Sequence, residues 1–155
     1  MIRSYEVKFR FIAINLLLIS LITIQARSFA DGLSGALTLE PRQDPAVMTV
    51  TSVQLTDAGG VISAVGDMGE YGKVYATYEM ILDPTRGLYL ISGEGRGFMQ
   101  DGSFASGQFR GVAHREGSVF TMYNTVNITG NTQNLDVITF DALENTLIVK
   151  AFILK

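Results

Sequence analysis

The chain has no cysteine and no tryptophan, and only one histidine and three prolines in 155 residues. Without cysteine there can be no disulfide, no thiolate metal site, no thiol nucleophile and no lipid anchor on a cysteine. The lone His114 rules out a multi-histidine metal centre within one chain. It has no adjacent nucleophile and so lacks the geometry of a triad; it reads as a surface residue. Helical periodicity is missing as well. After Pro45 no apolar stripe returns every 3.6 residues, and alternation takes its place. The stretch GEGRG at 93–97 resembles a phosphate loop only superficially, because no helix follows it.

Positive charge is scarce. From Asp31 onward eight Lys/Arg stand against fourteen Asp/Glu, a formal charge of −6. Such a surface is a poor match for nucleic acid, whose phosphates require a basic face.

What is present begins with an export pattern. Arg3, Lys8 and Arg10 precede the apolar run Phe11 to Ile24, and ARSFA ends at Ala30. Fourteen apolar residues reach only about 21 Å as a helix, short of a bilayer core of roughly 30 Å. The expectation is a helical signal peptide over 1–30, cleaved after Ala30, with Ala26 as the alternative site. The mature protein is then periplasmic or extracellular, with no membrane span. Residues 31–46 form an extended lead-in with Pro41 and Pro45, in which 35–40 could make a short edge strand. Residues 47–155 form one domain.

That domain reads as strands to its end, separated by turn signals such as DAGG at 57–60 and DPTRG at 83–87. Gly87, Gly102 and Gly117 recur every fifteen residues, the spacing of a meander of long strands. Taking Asp101–Gly102 and Glu116–Gly117 as two-residue loops sets the register. One face then holds Leu90, Ser92, Glu94, Arg96 and Phe98, followed by Ala105, Gly107, Phe109, Gly111 and Ala113, then Phe120, Met122, Asn124 and Val126. Pairing Leu82 with Leu88 adds Val74, Ala76, Tyr78 and Met80. Large groups oppose small ones on this face, as in a narrow curved interior. The opposite face is polar, with Tyr75 placed to cover Gly95. Strand glycines let long strands coil, and coiled meanders close. The expected fold is all-β: a single antiparallel up-and-down β-barrel of about eight strands, with a two-sheet sandwich as the alternative.

The glycine-rich run GEGRGFMQDGSFASGQFRG at 93–111, followed by REGSVFTMY at 115–123, resembles the allene oxide cyclase and dirigent barrel group. The likeness spans roughly Tyr71 to Tyr123. It implies an eight-stranded barrel, in some members one that holds or guides a small hydrophobic substrate. No catalytic residue of that group maps onto this chain, so none is assigned.

Four residues on the expected interior face carry the chemistry: Tyr78, Glu94, Arg96 and Asn124. A buried carboxylate and guanidinium must pair, or desolvation costs several kcal/mol per ion. Such a group could orient a ligand's carbonyl or hydroxyl, lock the register, or sit solvated at a rim. Gly107, set against Val126 and Arg96 on this face, predicts that Gly107→Val destabilises the fold. Asp136 and Asp141 read as solvated turn residues, too sparse for a calcium loop. Asn127 to Thr129 is a glycosylation sequon, meaningful only in a eukaryotic secretory pathway. Tyr71, Tyr75, Tyr89, Phe104 and Tyr123 could cluster outside, either packing across strands or making a homo-oligomer contact. No cofactor and no metal is expected. Two functions fit: an exported barrel that binds a small apolar or amphipathic molecule or serves as a non-catalytic assembly module, or a cyclase or isomerase acting inside the barrel.

Overall fold

The computed structural model describes residues 39–130 and 132–154. The expected signal peptide, and residues 31–38 of the expected lead-in, lie outside them. Eight long strands follow a two-residue one: β1 (Glu40–Pro41), β2 (Ala46–Thr56), β3 (Gly59–Asp67), β4 (Lys73–Asp83), β5 (Leu88–Phe98), β6 (Phe104–Glu116), β7 (Val119–Ile128), β8 (Thr132–Asp141) and β9 (Thr146–Ile153). One 3-10 turn, Gly69–Tyr71, joins β3 to β4. Consecutive strands pair antiparallel from β2 to β9, and β9 returns to β2 at Ala46↔Val149. The sheet therefore closes into an eight-stranded antiparallel barrel. β1 adds to the same edge of β9 as β2 does, at Glu40↔Ile153.

Alternation decides which side chains go inside. On β4 Val74, Ala76, Tyr78 and Met80 are buried, and on β7 Phe120, Met122, Asn124 and Val126. On β9 Leu147, Val149 and Ala151 point inward, and on β8 Asn134, Asp136, Ile138 and Phe140. One end of the interior is densely packed. Phe120 lies 5.8 Å from Phe140 and 5.6 Å from Tyr89, with Met122 and Leu147 fully buried nearby. Burying each such side chain contributes about 1.5–3 kcal/mol.

β5 is inverted relative to the register expected from its loops. Asp83 pairs with Leu88, so the β4–β5 loop has four residues, not five. The Asp83 carboxylate accepts from the backbone N–H groups of Thr85 and Arg86, and its carbonyl accepts from Gly87 N–H. The next loop has three residues, not two. Met99 N–H donates to the Ser103 carbonyl, and Gly102 takes the left-handed position at φ +83° that such a loop needs. Each change of one residue flips the side chains beyond it. The two cancel, so β4 and β6 keep their expected faces while β5 alone turns over. Ile91, Gly93, Gly95 and Gly97 face inward, and Leu90, Glu94, Arg96 and Phe98 face outward. The β6–β7 loop is Gly117–Ser118, one residue later than expected, which slides the register by two and leaves the faces unchanged.

The inward glycines serve two purposes. A methyl group on Gly93 would collide with the Thr77 carbonyl and the Phe109 ring, and one on Gly111 with the Asn124 amide. There the absent side chain makes room for a neighbour. Gly95 and Gly107 are different. They are direct partners across β5 and β6, and added methyls would come no closer than 3.5 and 3.6 Å to anything.

Candidate functional site

The Gly95–Gly107 pair forms one wall of a cleft that opens at the barrel end opposite Phe120 and Phe140. β4 supplies Val74, Ala76 and Tyr78, β6 adds Phe109, and β8 adds Asn134, Asp136 and Ile138. Met68 and Tyr71, just before and on the 3-10 turn, lie at the mouth. The cleft gives the centres of water-sized spheres about 60 Å³, and about 540 Å³ of space in all when its open mouth is included. By the first measure one water takes roughly 10–15 Å³, so the enclosed part holds a few waters or one end of a small molecule.

Asp136 is the polar group at the inner part of this cleft. It is 8% exposed, and its Oδ1 has no hydrogen-bond partner among the described residues. Its cross-strand partner on β7 is Asn124, wholly buried, with both amide atoms also unpartnered. Burial in this apolar setting raises the Asp136 carboxyl to about 7, with the Arg42 guanidinium pulling the other way. Tyr78, buried and stacked at 4.9 Å on Phe109, is raised above the ordinary tyrosine range by burial first and then by the Asp136 charge. The phenol therefore stays protonated at neutrality, while the carboxyl is divided between its protonated and ionised forms there.

The mouth is braced by a polar chain. Arg42 Nε donates to Asn134 Oδ1 at 2.6 Å, and its Nη1 lies 3.2 Å from Glu70 Oε1. Asn134 Nδ2 donates to the Tyr71 hydroxyl at 3.4 Å. Burial, more than any other cause, raises the Tyr71 hydroxyl pKa. Three segments distant in sequence are thus tied at the rim: the link between β1 and β2, the 3-10 turn, and β8.

Of the four residues expected to carry the chemistry, Tyr78 and Asn124 are inside. Tyr78 lines the cleft, and Asn124 sits beside Asp136. Glu94 and Arg96 are not inside, because β5 is turned over. They form an outer-surface pair at 3.1 Å, with side chains 58% and 42% exposed, and Arg96 also donates to the Gly95 carbonyl. Tyr75 does not cover Gly95, which faces inward. It stands opposite Arg96 with its ring 6.2 Å from Phe98. Nor do the aromatics form one outer cluster. Tyr89 packs on Phe120, and Tyr71 packs against the core, while Tyr75, Phe104 and Tyr123 are exposed. His114 is exposed on the outer face.

Asp136, Asn134 and Arg42 were the residues missed. Asp136 is not a solvated turn residue; it shares the even-numbered face of β8 with Ile138 and Phe140, whereas Asp141 ends the strand on the outer face. That alternation was the available signal. Among the described residues no three His, Cys, Asp or Glu side chains converge as a metal site would require. The cleft is chemically a protonatable, amphipathic cup. No protein-family model, curated protein or solved structure matches the chain.

Proposed function

We propose that this barrel binds one end of a small amphipathic molecule in its cleft. The observation that carries this reading is the nine-tenths buried Asp136 carboxyl, whose Oδ1 has no hydrogen-bond partner among the described residues, at the inner part of an otherwise largely apolar cup. A buried polar atom without a partner costs about 1–3 kcal/mol, which a ligand's hydrogen bond would offset. A carboxyl with a pKa of about 7 keeps a protonated fraction at neutrality that both donates and accepts, so it suits a neutral head such as a hydroxyl, carbonyl or amide. The Gly95–Gly107 wall leaves room for an apolar body where side chains would have filled it. This supports a binding barrel over a purely structural one. The charged-then-apolar N-terminus supports export, so the ligand is one met in the periplasm or outside the cell.

A cyclase or isomerase is the second reading, in keeping with the resemblance to the allene oxide cyclase and dirigent barrels. One arrangement favours it: Tyr78 and Asp136 line the same cleft, and the Asp136 charge, after burial, raises the phenol. Such a pair can hold and pass a proton.

Native mass spectrometry of the purified protein tests the binding reading. A small-molecule adduct is expected, lost when Gly107→Phe fills the cleft and weakened by Asp136→Ala. Absence of any adduct from protein made in several hosts, together with no chemical-shift change at Gly95 or Gly107 against a panel of small alcohols, ketones and amides, overturns it.

A further inference from the structure

Resting on the binding reading above, we propose that the cleft selects molecules headed by a carbonyl group, whose oxygen accepts from Tyr78 and Asp136 together. Both side chains line the cleft, one from β4 and one from β8, and both are more than nine-tenths buried. Among the described residues, neither the Tyr78 hydroxyl nor the Asp136 carboxyl shares a hydrogen bond with another side chain. Asp136 Oδ1 is enclosed, so Oδ2 is the carboxyl oxygen that a ligand can reach. The Asp136 charge acts on the phenol, which sets the two groups around one small space.

Hydrogen-bond arithmetic picks the head. The phenol is a donor at neutrality, and a neutral carboxyl adds a second O–H. A carbonyl oxygen has two lone pairs and no proton, so it accepts from both and leaves nothing unpaired. In apolar surroundings a phenol beside a neutral carboxyl is a strong donor pair for such an oxygen. A hydroxyl head must also place its own proton, which the ionised carboxyl accepts best. An amide head brings N–H groups that the largely apolar lining leaves unpaired, at a cost.

Carbonyl recognition is then coupled to a proton, because only the neutral carboxyl donates. The groups around Asp136 leave that coupling to Asp136 itself. On β7 and β9 its cross-strand partners are Asn124 and Ala151, and β5 and β6 add only uncharged residues to the cleft. Tyr78 faces it from β4, Arg42 acts on it from the β1–β2 link, and Tyr71 and Glu70 stand at the rim. Arg42 commits Nε to Asn134 and Nη1 to Glu70, and among the described residues no other buried side chain is charged.

Methyl hexyl ketone and the alcohol of the same carbon skeleton are the probes, titrated by calorimetry at pH 6 and pH 8 and followed by infrared difference spectroscopy. The carbonyl stretch of the bound ketone should move to lower frequency. Its affinity should fall by about tenfold from pH 6 to pH 8, as the neutral fraction of a carboxyl with a pKa of about 7 falls. The alcohol should hold or gain affinity over the same range. Asp136→Asn keeps a donor and should bind the ketone equally at both pH values. Tyr78→Phe should weaken ketone binding by about tenfold and shrink the frequency shift. An unshifted stretch in the bound ketone overturns the carbonyl class. So does a ketone affinity that does not fall with pH, or an alcohol that falls in step with it. In each of those cases the binding reading stands, whereas failure of both probes to bind at either pH removes the two together.

Discussion

Gly95 and Gly107 face each other across β5 and β6, both turned toward the interior, and neither sends a side chain into it. Most inward positions around them are filled or pressed by a neighbour, as at Gly93 and Gly111. This pair is where the barrel's contents thin out, and the cleft begins there.

Gly107→Ala should stabilise the protein by about 0.5 kcal/mol, because the methyl meets only ordinary contacts and the unfolded chain loses freedom. Gly93→Ala should destabilise it by about 1–3 kcal/mol, because Phe109 and the Thr77 carbonyl already occupy the space. Urea unfolding of both variants checks the contrast. The space beside Gly107 also revises the expectation for Gly107→Val, which rested on a packed neighbourhood including Arg96. Equal losses at the two glycines would mean the cleft is closed in solution.

Asp136 makes stability depend on pH. Its folded pKa, about 7, lies above the ordinary 3.8, so the folded state holds the proton more tightly. The contribution is fully present below about pH 4, is lost as pH rises toward 7, and is level above that. Asp136→Asn should remove this slope and leave the variant more stable than the parent at pH 8. Thermal midpoints at pH 4, 6 and 8 measure it, and parallel curves for parent and variant would refute a buried, protonated Asp136.

Arg42 acts on Asp136 from the rim. Its charge opposes the effect of burial, so Arg42→Met should raise the Asp136 pKa above its present value near 7. The same change leaves Asn134 Oδ1 without its 2.6 Å donor and frees Glu70, so backbone exchange over Gly69–Tyr71 should quicken. Carboxyl-carbon NMR titration reads the first effect and hydrogen exchange the second. A pKa that falls in the variant contradicts the assignment.

Phe140 and Glu94 mark the two extremes of sensitivity. Phe140 is fully buried at the packed end, and Phe140→Ala should cost about 3–5 kcal/mol. Glu94→Gln breaks only a surface pair with Arg96 and should change stability by less than about 0.5 kcal/mol. A large loss at Glu94 would place β5 the other way round.

That last contrast shows what the sequence could reveal. Alternation alone assigns the inner faces of β4, β6, β7 and β9, because each carries apolar residues or glycine at nearly every second position, Asn124 being the exception on β7. β5 offers no such guide: glycines fill one side, and Leu90, Glu94, Arg96 and Phe98 mix character on the other. Its orientation rests on the lengths of two loops, and the Asp-Gly signal at 101–102 is compatible with a loop of two residues or three. Tyr78 and Asn124 were legible because their strands were. Asp136 was hidden by reading it with Asp141 as a pair five apart, which in a strand puts the two on opposite faces. Arg42 lies between prolines, where no periodicity exists to place it.

Closure joins Ala46 to Val149, near opposite ends of the described chain, and it has a consequence for how the molecule is made. Contacts so distant in sequence form late and slowly. Until Thr146–Ile153 arrives, β2 and β8 are two raw edges on an unfinished sheet. A chain that stops before Thr146 should therefore collect in insoluble aggregates, since its last eight-residue strand is what turns a sticky ribbon into a ring.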